Sequence, residues 1–302
     1  MGSNREAPGF SLVVVVCALV LGALGGFTAA QRAAASGASA RAANVPRSVE
    51  DWLARAATSV DKVVNPALRE ELVASLTSDP ALRKEVIEHF GREARRPYRI
   101  TIKDVLAASR TPETTAVALD LAKRDDTIAR AAGLELLAAL EPSTEALALA
   151  RRAIENETDA EVLAGALMAL RPLGPPPQGE ARAMMPRLIE LTRHPDSLVR
   201  AHAVQSVADW DKVGDQTTTV ALRAMSDGDR LVRQAAIGAV MIGRLRSDDV
   251  KQALLRVLGD PAEDPTARGA SMFALQQFSL SDVEQARYVA LRDELERRAK
   301  AH

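Results

Sequence analysis

The sequence predicts an all-α fold, an α-solenoid of about five helix pairs with helical caps, and three observations support this fold class. The first is a motif, Asp196–Trp210, that recurs along the C-terminal two thirds of the chain. Each copy opens on an aspartate, and these are Asp126, Asp159, Asp196, Asp229 and Asp264. They are spaced 33, 37, 33 and 35 residues apart. A period in this range indicates stacked helical repeats.

The second observation is an apolar stripe in every copy. Apolar residues lie three, seven, eight and eleven positions after the aspartate, which places them on one face of a helix. The seventh position holds only small residues: Gly133, Ala166, Ala203, Ala236 and Ser271. Each copy therefore predicts a helix whose buried side lets a neighbouring backbone approach closely.

The third observation is a second helical pattern between successive copies. It covers Glu145–Ile154, Ala181–Leu191, Thr218–Met225 and Val250–Leu258. The repeating unit is thus a pair of helices. One pair alone cannot cover its apolar face, so neighbouring pairs must stack.

The residues around the repeat turns resemble a known family. The turn Asp227–Arg233, followed by Gln-Ala-Ala-Ile, and the segment Ala253–Asp260 before the next turn are similar to HEAT repeats, especially the short form of phycobilin lyase-like proteins. The resemblance covers residues 111–298. It implies a structural ladder between repeats, in which a turn aspartate meets the arginine that follows it, as Asp227 would meet Arg233.

By this resemblance the ladder residues are Asp227, Arg130, Arg200, Arg233 and Arg268. The pattern has departures, since Leu163 replaces the arginine of the second copy and His194 stands where a turn aspartate is expected. The family implies interaction surfaces more often than catalysis. We therefore expect a scaffold or adaptor that binds a protein or peptide, with an enzyme or an enzyme's accessory subunit as the alternative.

Residues 1–30 predict a membrane anchor or a signal segment. The uncharged run Ala7–Gln31 would span about 37 Å as a helix, enough for a bilayer core of about 30 Å. This length favours an uncleaved anchor, with cleavage near Thr28–Ala30 as the alternative. Residues 31–47 are rich in alanine, serine and glycine and predict a flexible linker.

Composition indicates an exported bacterial protein. No cysteine follows Cys17, so the exported part has no disulfide framework. Arginine far outnumbers lysine and alanine is abundant, as in proteins from GC-rich bacterial genomes. We expect the periplasmic side of the cell envelope, with the chain anchored in the inner membrane or released by signal cleavage. The net charge of −1 and the few aromatic residues argue against a nucleic-acid partner.

Residues 48–100 predict an N-terminal helical region, and residues 101–302 the solenoid. Two short segments, Asn65–Leu76 and Asp79–Phe90, each open with a helix-capping residue followed by proline. A cap over the exposed end of the array is favoured, because solenoids require one at each end. A separate docking module is the alternative.

Two charged segments flank the array. The arginine-rich stretch Arg92–Arg99 predicts a solvated interhelical loop, with a basic patch facing anionic lipid as the alternative. At the other end, Ser281–Lys300 predicts a long, charged C-terminal helix that caps the solenoid.

The sequence offers no catalytic, cofactor-binding or metal-binding residues. His194 and His202 would lie about 12 Å apart along a helix, too far for one metal ion. Asp209–Gly214 starts like a calcium loop, but Val213 occupies a ligand position. An enzyme would instead need a polar, ligand-sized pocket with converging titratable groups.

Two surfaces remain as candidates for a partner. The first lies opposite the buried stripe, on the face that the resemblance places on the concave side: Met168, Arg171, Gln205, Ala208, Met241, Phe273 and Gln276. We expect a largely uncharged surface that accepts a helix or an extended peptide, unless neighbouring repeats cover it.

The second candidate is a row of arginines on the intervening helices: Arg152, Arg187, Arg223, Arg256 and Arg292. Such a row could receive an acidic partner. Ordinary local pairing is the favoured interpretation, because Asp227, Asp260 and Glu296 each follow an arginine of the row by four residues.

Overall fold

The computed structural model describes residues 46, 48–58, 66–93, 96–174, 178–211 and 215–300. Within these ranges the chain forms fifteen α-helices and no strand. None of these helices is long and apolar enough to cross a membrane. The predicted anchor, and the predicted linker apart from Pro46, lie outside the described residues.

Four helices form the N-terminal part: α1 Val49–Thr58, α2 Pro66–Ser78, α3 Pro80–Phe90 and α4 Arg96–Ser109. The capping role predicted for Asp79 is confirmed, because its carboxylate accepts hydrogen bonds from the backbone N–H groups of Ala81 and Leu82 at 2.9 and 3.0 Å. Trp52 of α1 is fully buried and donates to the Leu72 carbonyl of α2 at 3.4 Å.

The start of α4 differs from the sequence prediction. The helix begins at Arg96, inside the stretch predicted to be a solvated interhelical loop. The predicted boundary between residues 100 and 101 therefore falls within a helix. Because α4 packs against the first helix of the recurring motif, it stands at the head of the repeat stack.

The repeats are five helix pairs, as predicted. The first helices of the pairs form an outer row: α5 Pro112–Leu121, α7 Thr144–Asn156, α9 Gln178–Leu191, α11 Asp215–Ala224 and α13 Asp248–Gly259. The second helices form an inner row: α6 Thr127–Ala139, α8 Ala160–Ala169, α10 Ser197–Trp210, α12 Arg230–Ile242 and α14 Pro265–Leu275. Inner helices stack in succession from α4 to α14, and each outer helix packs on the inner helix that follows it.

The last helix, α15 Asp282–Lys300, packs against α13 and α14. It occupies the place of the predicted C-terminal cap. Its polar, charged face is consistent with an element that ends an array.

The recurring aspartates are helix N-caps. Asp126, Asp159, Asp196, Asp229 and Asp264 each accept at least one backbone N–H bond from the first turn of their inner-row helix. A carboxylate here satisfies donors that the helix leaves unpaired and also faces the positive end of the helix dipole. The aspartate that marks each period of the sequence is thus the N-cap of an inner helix.

The small residue of each stripe permits close helix packing, as predicted. A Cβ atom added to Gly133 would lie 2.3 Å from the backbone N of Ala122, at the end of α5. The equivalent Ala166, Ala203 and Ala236 are fully buried. Close contact between outer and inner helices therefore depends on a small side chain at this position.

Candidate functional site

A groove of about 220 Å³ runs across the inner row. Side chains from α4, α6, α8, α10 and α12 line it, so it crosses five successive helices of the stack. Its apolar lining includes Leu167 and Met168 of α8 and Ile242 of α12. The groove thus forms only when the repeats stack, because no single helix pair supplies all of its lining residues.

The groove also contains charged and titratable side chains. Lys103, Glu135, Arg171, His202 and Asp209 all line it. The prediction of a largely uncharged inner surface is therefore wrong in this region. The opposite signs lie side by side, so the groove does not present a field of one sign.

Glu135, which lines the groove, belongs to a buried ion network. Arg99 is fully buried and makes two bonds to the Glu135 carboxylate, from Nε at 2.9 Å and from Nη2 at 2.7 Å. Its Nη2 also donates to Glu161 at 2.9 Å. Burial, the largest single effect, lowers the pKa of Arg99, but the bonds to both carboxylates outweigh it and the pKa is raised.

This network joins α4, α6 and α8 and corrects the interpretation of Arg99 as part of a solvated loop. A buried charge is retained only when it is paired and hydrogen-bonded, and the forked bonds of Arg99 meet that condition. The Glu135 carboxylate is already bound by this fork. It is therefore poorly placed to act as a free acid or base towards a ligand in the groove.

Other groove residues are held by contacts within the stack. Arg171 donates from Nη2 to the Leu140 carbonyl at 2.9 Å, which satisfies the end of α6. His202 Nδ1 and Gln205 Oε1 lie 3.4 Å apart. Lys103 Nζ lies 3.5 Å from a carboxylate oxygen of Asp104. The bond of Arg171 joins two helix pairs, whereas the contacts of His202 and Lys103 lie within single helices.

The predicted partner-binding residues divide into two groups. Met168, Arg171 and Gln205 line the groove. Met241, Phe273 and Gln276 do not line it and belong to the C-terminal end of the inner row.

Within that second group, the exposures differ. Phe273 is 43% exposed and Gln276 is exposed, whereas Met241 is half-buried against the core. Ala208, which the sequence placed on the same surface, is only 2% exposed and is covered by the stack.

The ladder between repeats exists, but its pairing differs from the one implied by the resemblance. The Asp227 carboxylate accepts two bonds from Arg200 of the preceding repeat, at 2.8 and 3.0 Å. Arg233 instead donates to the main-chain carbonyl of Asp227 at 2.8 Å. The bond from Arg200 is the main reason why the pKa of Asp227 lies below its usual range.

Two further rungs have the same form. Arg130 Nε lies 2.8 Å from the Glu157 carboxylate of the next turn. Arg233 Nη2 donates to Glu263 at 2.7 Å, and this pairing holds the pKa of Glu263 below its usual range. A rung therefore joins an inner-helix arginine to a carboxylate in the turn of the following repeat.

The ladder changes at two places. Arg268 is buried and donates to the Leu258 carbonyl at 2.9 Å, with Glu294 of α15 more distant at 3.8 Å. Between α8 and α10 the arginine is replaced by Leu163, which is fully buried, and the turn carries His194. The departures seen in the sequence thus correspond to a missing rung.

The described part of the chain contains no candidate metal site. No group of three or more histidine, cysteine, aspartate or glutamate side chains there is placed to hold an ion. Part of the calcium-like motif, residues 212–214, lies outside the described residues.

Comparison with known proteins agrees with the repeat architecture. Residues 185–285 match the family of HEAT repeats, so the resemblance inferred from the sequence is confirmed there. No match was found among curated protein sequences.

Solved structures with a similar shape include the YibA protein of Escherichia coli, at 14% identity and a TM-score of 0.47, covering 68% of this chain and 72% of that one. Another is the complex of CpcE and CpcF of phycocyanin lyase from Nostoc sp., at 16% identity and a TM-score of 0.46, covering 83% of this chain and 96% of that one.

Proposed function

We propose, from the premise that this chain is an array of HEAT repeats, that it is a protein-interaction scaffold whose inner-row groove binds a segment of a partner protein. The observation that carries this proposal is the continuity of the groove over five stacked helices. A surface that crosses several repeats suits an elongated ligand better than a compact one.

The dimensions favour a polypeptide. Helices packed about 9 Å apart would place α4 and α12 up to about 36 Å apart. An extended segment of about 11 residues covers that distance. The mixed charges of the groove give a partner polar contacts along its length, while Met168 and Ile242 offer apolar ones.

The alternative is that the groove holds a small molecule, as an enzyme or an accessory subunit of an enzyme requires. The convergence of Lys103, His202 and Asp209 favours this second candidate. The engagement of Glu135 by Arg99 weighs against it, because it removes one candidate catalytic carboxylate.

The location is part of the same proposal. Residues 1–30 would deliver the array to the periplasmic side of the bacterial inner membrane, with residues 31–47 as a tether. The support is the uncharged run Ala7–Gln31. Fractionation of cells that express the full chain tests this point: recovery with soluble cytoplasmic protein, rather than with the envelope, would reject it.

The groove proposal is tested by crosslinking and pull-down from membranes of the native organism. The disrupting variant is Gln205→Arg with Met168→Arg. Both residues line the groove, and both are only partly buried. The control is Val283→Arg on α15, at a position that is 81% exposed.

We expect partners captured by the wild type and by the control to be lost in the groove variant, with unchanged helical circular dichroism. Equal capture by all three proteins would show that the groove is not the binding surface. A small molecule found by native mass spectrometry in the wild type and absent from the groove variant would establish the alternative.

A further inference from the structure

The row of arginines on the outer helices and on α15 does not form the local pairs expected from the sequence, except at Arg292. Arg292 lies 3.9 Å from Glu296, although Asp293 is nearer at 2.8 Å. Arg223 and Arg256 form no ion pair with any described residue. The carboxylate expected to neutralise Arg223 is Asp227, which is bound by Arg200 instead.

Arg223 is held in place by the preceding repeat. Its Nη2 donates to the hydroxyl of Thr192, just beyond the end of α9. Thr192 is 4% exposed, and its hydroxyl donates to the Ile189 carbonyl at 2.6 Å, so the acceptor is fixed. Arg223 itself remains exposed. Its guanidinium is thus positioned, with further N–H donors directed away from Thr192.

A second arginine lies beside the first. Arg193 follows Thr192 directly, is exposed, and has no ion pair in the described part of the chain. Burial and, next, the neighbouring charge of Arg193 lower the pKa of Arg223. Two guanidinium groups held near one another repel, and an anion placed between them would remove that repulsion.

The missing ladder rung explains why no internal anion neutralises this pair. In other turns, a carboxylate that meets an arginine lies one or two residues ahead of the N-cap, as Glu263 and Glu157 do. Here His194 lies two residues ahead of the N-cap, and its Nδ1 accepts the backbone N–H of Asp196 at 3.1 Å. The nearby Glu190 bonds to Arg187 at 2.9 Å. The local carboxylates are therefore already engaged.

The remainder of the row differs from this place. Arg256 occupies the equivalent position two helices later and is also exposed. It borders a recess of about 430 Å³ that is also lined by Asp227, Asp260 and Glu263. Asp227 also acts on the charge of Arg223, but its carboxylate is bound by Arg200. Arg193 and Arg223 are thus two exposed arginines without an ion pair in the described part of the chain, and we call them the arginine edge.

We propose that the edge formed by Arg193 and Arg223 binds a carboxylate from an acidic segment of a partner protein. The two guanidinium groups supply charge-assisted hydrogen bonds, and that of Arg223 is held by its bond to Thr192. The edge lies on the outer row and its turns, apart from the inner-row groove, so this site stands whether or not the groove proposal holds.

The test uses the purified full chain and a fluorescein-labelled peptide of repeated Glu-Gly-Ser triplets, followed by fluorescence anisotropy. A Gln-Gly-Ser peptide of equal length reports binding that does not depend on charge. We expect the acidic peptide to bind at about 20 mM salt and to weaken as salt screens the contacts. Arg193→Gln with Arg223→Gln should reduce its affinity at least about tenfold.

Arg256→Gln is the matched control, because it removes an exposed, unpaired arginine from the same row. Its affinity should stay within about twofold of the wild type. Equal loss in the control and the double variant would show that general charge, and not this edge, binds the peptide. Absence of binding by the wild type at low salt would overturn the proposal.

A final experiment distinguishes an acidic protein segment from an anionic membrane as the ligand of the edge. Vesicles of phosphatidylserine and phosphatidylcholine are added in place of the peptide, in a sedimentation assay. Binding to these vesicles without binding to the acidic peptide would assign the edge to a lipid surface and refute the protein partner. A circular dichroism melt of each variant confirms that folding is retained.

Discussion

Two glycines of the inner row should change the stability of the solenoid in opposite directions when each is replaced by alanine. Gly133 and Gly238 both lie inside inner-row helices, α6 and α12. A Cβ on Gly133 would lie 2.3 Å from Ala122 N and 2.8 Å from Ala118 O, both backbone atoms of the neighbouring outer segment. A Cβ on Gly238 would meet no heavy atom within 4 Å.

The free energies follow from these surroundings. Replacing a glycine inside a helix by alanine stabilises the helix by about 1 kcal/mol where the new methyl group is unobstructed. Gly238→Ala should therefore raise the free energy of unfolding by about 0.5 to 1 kcal/mol. At Gly133 the obstructing atoms are main chain and cannot rotate away, so overpacking should outweigh the gain and leave a net loss of about 2 kcal/mol or more.

The assay is urea unfolding of the full chain, followed by far-ultraviolet circular dichroism. Because repeat arrays can unfold in steps, the order of the transition midpoints is the quantity to compare. We expect the order Gly238→Ala, wild type, Gly133→Ala, from most to least stable. If Gly133→Ala unfolds at the wild-type midpoint, the close packing of α5 on α6 is not what requires glycine there.

The remaining predictions concern charged residues. Arg99→Met should destabilise the fold by about 3 kcal/mol, because Glu135 is left buried without its partner, and adding Glu135→Gln should recover part of this loss in the same urea assay. Arg200→Gln should cost about 1 kcal/mol at neutral pH. Since Arg200 lowers the pKa of Asp227, the wild type should lose this contribution as pH falls through the folded-state pKa of Asp227. The gap between the thermal melts of the two proteins should therefore narrow as pH falls below the ordinary aspartate pKa of about 3.9; a constant gap down to about pH 2 would contradict the assignment.

The helix pairs were predictable because their determinants are local. An aspartate that caps a helix and an apolar stripe with a helical period both lie within one turn or a few turns of the chain. The sequence also indicated that a neighbouring backbone approaches closely at the small position, which Gly133 occupies in the first copy. Each repeat carries these signals in its own sequence, so they do not depend on contacts with other repeats.

The groove and its ion network were not predictable for the opposite reason. Arg99 bonds to residues 36 and 62 positions away, so its role depends on how α4 stacks on α6 and α8. The helix α4 opens on Arg96 and lacks the aspartate that marks the other inner helices. A period search based on that aspartate starts one helix too late, and the charged lining contributed by Lys103 is missed.

The missing rung of the ladder shows that stacking does not depend on the ladder. Across the gap, Trp210 donates to the Leu170 carbonyl at 2.9 Å and Ser206 to the Leu167 carbonyl at 3.3 Å, so α10 satisfies the end of α8 directly. Leu163 adds buried apolar area in place of an ion pair. Since these contacts hold α8 and α10 together, the turn that carries His194 needs no carboxylate for stability. The edge of Arg193 and Arg223, proposed above to bind an acidic partner, lies beside that turn.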